Sequence, residues 1–240
     1  MDNSILVLHV AAMLSGISKF SVGGMGALIL PLLLLAFPGQ QALAILIPMF
    51  LVADLLTMVC YRKNINWKVL LRLLALMAVG CVLGAVLMNS INTHQFARII
   101  GLTILGMLLL SIYLEYNQTQ IRTSSLAQSS SGIFAGFISM TANSAGPIMS
   151  LYLLEEKLGK PSYVSTRAWL AGMVNIIKIP LLVSIGALNT QTALLSLSAL
   201  PSLLLGAWLG YKLLKRISFT QLTWSVRCLI VLAAGSLLLN

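Results

Sequence analysis

Apolar residues in this chain run on without the alternation of a half-buried strand or the single stripe of a soluble helix. Six stretches of about 20 residues, the length a helix needs to cross a bilayer, are Ala42–Cys60, Val69–Met88, Phe96–Leu114, Ala168–Gly186, Thr192–Leu214 and Phe219–Leu239. Two further apolar runs are interrupted. Ile5–Phe37 is broken by Lys19-Phe20-Ser21-Val22-Gly23-Gly24-Met25-Gly26, and Gly132–Leu154 by Thr141-Ala142-Asn143-Ser144-Ala145-Gly146-Pro147. Irregular polar backbone at membrane depth is tolerated only inside protein or beside a water-filled cavity. The 33 residues of Ile5–Phe37 would make a single helix of about 50 Å, too long for one upright span. A re-entrant hairpin, two short spanning helices and one tilted broken helix all remain open.

The composition agrees with a bilayer as solvent. Hydrophobic residues make up 59% and charged residues only 8%, against roughly a quarter charged in soluble proteins. The net charge of +10 therefore reads as a topology signal and not as a nucleic-acid surface. If each broken segment returns to the side it came from, Arg62, Lys63, Lys68, Arg72, Arg122, Lys157, Lys160, Arg167, Lys212, Lys215 and Arg216 share one side, with Arg98 alone opposite. If each crosses once, the bias disappears. The positive-inside rule selects the first arrangement, with both termini outside. No basic stretch precedes the first apolar run, so a cleaved leader is not expected. Cys60, Cys81 and Cys228 stand apart in apolar surroundings with only His9 and His94 besides. No metal site, cofactor or disulfide framework is expected.

The halves echo each other about the polar stretch Glu115–Ser131. Gly80-Cys-Val-Leu-Gly84 matches Gly206-Ala-Trp-Leu-Gly210 at an offset of 126, and Asn64-Ile65-Asn66 matches Ala187-Leu188-Asn189 at 123. Small residues four apart let membrane helices approach closely. The expected fold is an all-α polytopic membrane protein with an inverted repeat, each half one broken or re-entrant segment plus three transmembrane helices. The first repeat is 1–118, the linker 119–131 and the second repeat 132–240. Matched interruptions in two halves point to a transporter binding site at their meeting.

A helix that starts after a break directs free N–H groups and the positive end of its dipole at the break, an anion site without a charged side chain. Gly24, Met25 and Gly26 would supply such groups in the first half, and Ala145 and Gly146 in the second. Ser21, Thr141, Asn143 and Ser144 add hydroxyl and amide partners. Asn175 and Lys178, three apart, share a helix face. A lysine in hydrocarbon costs about 2.5–3.5 kcal/mol on insertion scales, so Lys178 should face the interior or a cavity. Asp54 is the one carboxylate inside a regular span, either a proton or cation relay or a structural partner of Lys19 or Lys178. Lys19 is an anion ligand or a side chain reaching for the interface. Trp67, Trp208 and Trp224 read as interface anchors. Paired catalytic groups are absent from the sequence pattern, so an enzyme is not expected.

In order and spacing these motifs resemble the TauE/SafE sulfite-exporter family. The Gly23–Gly26 box leads to Pro31, Gly146-Pro147 opens an apolar segment in the second half, and Thr166-Arg167 followed by Asn175-Ile-Ile-Lys178 continues the pattern. The resemblance spans nearly the whole chain. Met25 and Val22 stand where glycines are expected, and Asn143-Ser144-Ala145 is more polar than usual. The resemblance implies a secondary carrier of sulfite or an organosulfonate in a bacterial inner membrane, working by alternating access. Whether a proton or Na+ couples transport, and whether the chain associates with further copies, is open. The rival classes are a passive anion channel and an accessory membrane subunit.

Overall fold

The computed structural model describes residues 2–20, 26–116 and 125–213, which form helices joined by short turns. The helices are α1 (Asp2–Phe20), α2 (Gly26–Leu34), α3 (Gln40–Cys60), α4 (Trp67–Ser90), α5 (Thr93–Tyr116), α6 (Ser125–Ala142), α7 (Gly146–Glu155), α8 (Lys160–Ser184), α9 (Thr190–Ser198) and α10 (Leu200–Leu213). Four of them are long and apolar enough to cross a membrane, within α3, α4, α5 and α8. The pair α9–α10, bent by 41°, makes a fifth if read as one span. The outward faces are as apolar as the interior. On α4, Leu71, Val79, Val82, Leu83 and Val86 are exposed while Leu73, Met77, Cys81 and Met88 are buried. Such a surface suits a hydrocarbon solvent, where the helix satisfies its backbone groups within the segment.

The first five expected spans have helical counterparts. The sixth, Phe219–Leu239, lies outside the described residues, as do Trp224 and Arg227. Two boundaries differ from the sequence reading. Helix α8 begins at Lys160, because Pro161 sits in its first turn, where a missing N–H costs nothing. Its polar first two turns hid it from an apolar scan. Helix α6 begins at Ser125, inside the stretch expected to be linker.

Both broken segments have unequal arms. α1 has 19 residues and α2 has 9; α6 has 18 and α7 has 10. Helix α6 stops because Asn143 takes φ of 50°, the left-handed conformation that asparagine tolerates better than most residues. Pro147 then opens α7 in its first turn.

Glycines dictate the two closest helix crossings. A Cβ on Gly80 of α4 would overlap the Ile133 carbonyl of α6, and one on Gly136 would overlap the Met77 carbonyl. At the other crossing, a Cβ on Gly206 of α10 would overlap the Met13 carbonyl of α1, and one on Gly16 the Leu203 carbonyl. Backbone touches backbone at both, as the small-residue spacing predicts. The contacts correspond residue for residue: 13 and 16 become 133 and 136 at an offset of 120, and 77 and 80 become 203 and 206 at 126.

The helix starts correspond as well. Asn66 caps α4 through Val69 N–H, and Asn189 caps α9 in a reciprocal box with Thr192. The offset grows from 123 at these caps to 126 at the glycines. Those three extra residues fall where α9 gives way to α10, at the bend. Pro48 removes one ladder bond from α3, and nearby the Ser196 hydroxyl of α9 donates to the Ile45 carbonyl at 2.8 Å.

Because a side chain at Gly80 must drive two backbones apart, Gly80→Leu should destabilise the protein by about 3 kcal/mol or more. Gly106 of α5 has open space where its Cβ would stand, so Gly106→Leu should be neutral. Thermal unfolding of the two purified variants in detergent checks this; equal midpoints would show that the crossing tolerates bulk.

Candidate functional site

Helices α3 and α8 are fastened along their length by polar contacts. The Trp169 indole N–H donates to the Met58 carbonyl at 3.2 Å, and Asn66 N–H donates to the Thr166 hydroxyl at 3.0 Å. Between these fastenings and Lys178, Gly172 brings α8 against Met58 and the Asp54 Cβ. This approach puts Asn175, one turn further along, beside the carboxylate of Asp54.

Asp54 is 1% exposed and both of its oxygens are engaged. Lys19, at the end of α1, forms an ion pair with Oδ1. Asn175 Nδ2 donates to Oδ2 at 2.6 Å. The Lys19 ammonium also lies 4.7 Å from the centre of the Phe50 ring, within cation–π range. Lys19 is thus half-buried, its side chain 19% exposed, and of the two sequence readings of Asp54 the structural partnership with Lys19 is present.

Lys178 is 1% exposed, and its surroundings are different. Among the described residues its ammonium has one hydrogen-bond partner, Asn143 Oδ1 at 2.8 Å, and no carboxylate lies within ion-pair distance of it. The other end of the same amide, Asn143 Nδ2, is buried without a partner among the described residues. The left-handed turn that ends α6 thereby aims an asparagine at the buried lysine and leaves donors unspent on both. The Cys81 thiol of α4 donates to the Gly136 carbonyl of α6 at 3.3 Å.

The second break is buried. Ser144 and Ala145 are both buried, and Ala145, the N-cap of α7, offers no side-chain cap. Gly146 is half-buried, and the nearest atom to a Cβ placed there would be Arg167 Nη2, at 3.8 Å. Arg167 and Lys178 therefore bracket the break from one face of α8.

Of the expected site residues, Lys19, Asp54, Asn175, Lys178 and Asn143 converge, with Ser144, Ala145 and Gly146 adjoining. Thr141 does not offer its hydroxyl to the site, because Oγ1 donates to the Phe137 carbonyl of its own helix at 3.0 Å. Ser21, Gly24 and Met25 lie outside the described residues, and Gly26 is the first residue of α2. Sequence reasoning missed Phe50, Cys81 and Arg167. For Arg167 a signal existed: eleven residues is close to three helical turns, so it shares a face with Lys178.

Interrupted helices in an all-helical multi-pass membrane protein, with a buried lysine that has one hydrogen-bond partner among the described residues, point to a membrane transporter. The chain belongs to the family described as Sulfite exporter TauE/SafE, whose model matches residues 8–237. Members of this family are transporters and not enzymes. No curated protein and no solved structure matches the chain.

Lys19→Met strands the Asp54 carboxylate with Asn175 alone, and breaking a buried pair on one side costs about 3–5 kcal/mol. Combining it with Asp54→Leu should recover most of that loss. A double-mutant cycle on thermal stability measures the coupling; additive losses would mean that the pair contributes nothing.

Proposed function

We propose that this chain is a secondary carrier that moves a small sulfur-containing anion, sulfite or an organosulfonate, across a bacterial inner membrane with both termini outside. The anion sits at the second break, between Lys178, the Asn143 amide and the first turn of α7, with the first break completing the site from the other half. Lys178 is the observation that supports this reading best. A buried ammonium with one neutral partner among the described residues is unfavourable unless a counter-charge arrives, and an oxyanion supplies both charge and acceptors. The uncapped start of α7 adds the positive end of a helix dipole.

We read the two halves as an inverted repeat. The reading is supported by the crossed pairing of α4 with α6 and α10 with α1 at equivalent residues, by the matching caps Asn66 and Asn189, and by the charge bias of the loops. The anion then reaches either side by alternating access. Asp54, engaged by Lys19 and Asn175, remains the candidate for a coupling proton.

Proteoliposomes containing the purified chain should take up labelled sulfite or a sulfonate, and an opposing gradient of the same anion should accelerate uptake by counterflow. Lys178→Met should insert and fold yet lose at least ~90% of that flux, since one well-placed charge-assisted contact is worth about 1.5–3 kcal/mol. Wild-type flux in this variant would remove Lys178 from the path. Flux far above carrier turnover and without counterflow would make the protein a channel.

A further inference from the structure

Arg167 stands at the second break with its hydrogen-bonding capacity unspent. It is half-buried, and among the described residues its guanidinium makes no hydrogen bond and no ion pair. Arg72 differs: its side chain is 49% exposed and it lies 3.9 Å from Glu156. A guanidinium drawn partly out of water gives up hydration that no protein group replaces here.

The place of Arg167 is fixed by its neighbours along α8. The Thr166 hydroxyl accepts from Asn66 N–H at the start of α4, and the Trp169 indole donates to the Met58 carbonyl of α3. This turn of α8 is therefore clamped to two helices, and Arg167 reaches the third, α7. Its Nη2 lies 3.8 Å from where a Cβ on Gly146 would stand. Gly146 keeps that space beside the guanidinium free of a side chain.

We propose that Arg167 is a second ligand of the anion, and the one that recognises its shape. Its planar fork takes two oxygens of a sulfur oxyanion at the start of α7, so the site prefers oxyanions to spherical anions of the same charge. The inference rests on the anion-site reading above and adds the residue that sets the substrate class. Lys178 is 1% exposed and bonded to Asn143. Its ammonium is a point charge without a fork, so it attracts either kind of anion. Attraction and discrimination thus belong to different residues of one helix.

Methanesulfonate and bromide test this, because they carry the same charge and only the first offers two oxygens to one guanidinium. Calorimetric titration of the full chain in detergent, at constant ionic strength, should show methanesulfonate binding about tenfold or more tighter than bromide. Arg167→Lys keeps the positive charge and removes the fork. Its bromide affinity should hold while its methanesulfonate affinity falls by about tenfold or more. The thermal midpoint without anion should stay at the wild-type value, which a merely structural role for Arg167 does not predict. Phenylglyoxal, which modifies accessible arginines, needs no substitution: methanesulfonate should protect Arg167 of the wild type and bromide should not, read by mass spectrometry of the peptide that carries it.

Folded Arg167→Lys with an unmoved methanesulfonate-to-bromide ratio overturns the proposal. So does modification of Arg167 that methanesulfonate does not slow. If neither anion binds the wild type, or if Lys178→Met binds both as the wild type does, the anion site itself is wrong and recognition by Arg167 goes with it.

Discussion

A carboxylate at membrane depth has to be partnered, and the centre of this protein is arranged around the partnering of Asp54. Lys19 reaches it from α1 and Asn175 from α8, and a Cβ on Gly172 would run into the Met58 side chain of α3. Taking two charges out of water costs several kcal/mol per ion, and only good geometry with further hydrogen bonds offsets it. Both oxygens of Asp54 are engaged, which is the arrangement that can meet this cost. Remove the pairing and α1, α3 and α8 lose a contact that joins all three.

Around that centre the polar groups divide into those that are spent and those that are not. Thr141 is bonded back to its own helix, and Ser196 donates to the carbonyls of Ile45 and Thr192. The first serves its own helix, and the second also ties α9 to α3. Lys178 and Asn143 bond each other and retain further donors. The buried Tyr152 hydroxyl of α7 is likewise without a partner among the described residues, and Lys178 meets Asn143 where the chain turns from α6 into α7.

Much of this was legible in the sequence because hydrophobic length, glycine spacing and charge are strong one-dimensional signals in membrane proteins. The glycine pairs 80/84 and 206/210 announced close crossings, and Asn66 and Asn189 announced helix starts. The interruption around residues 143–145 marked where a helix stops. What one dimension could not hold was the pairing. Lys19 and Asp54 are 35 residues apart and Asp54 and Asn175 are 121 apart, so the sequence left Asp54 with several partners of equal standing. The polar start of α8 was missed because a scan for apolar length overlooks a helix whose first turns face other groups. Arg167 was counted as a loop charge for the same reason.

The glycine crossings have a mechanical side. Where backbone rests on backbone there is no side chain to change rotamer, so α1 with α10, and α4 with α6, each behave as one stiff splint. Each splint joins a helix from the first half of the chain to one from the second. The contacts between α3 and α8, by contrast, are made by side-chain hydrogen bonds that can be exchanged one at a time. The stiff units of this molecule therefore each draw from both halves of the chain, while the exchangeable contacts lie along the pair of helices that hold Asp54, Asn175 and Lys178.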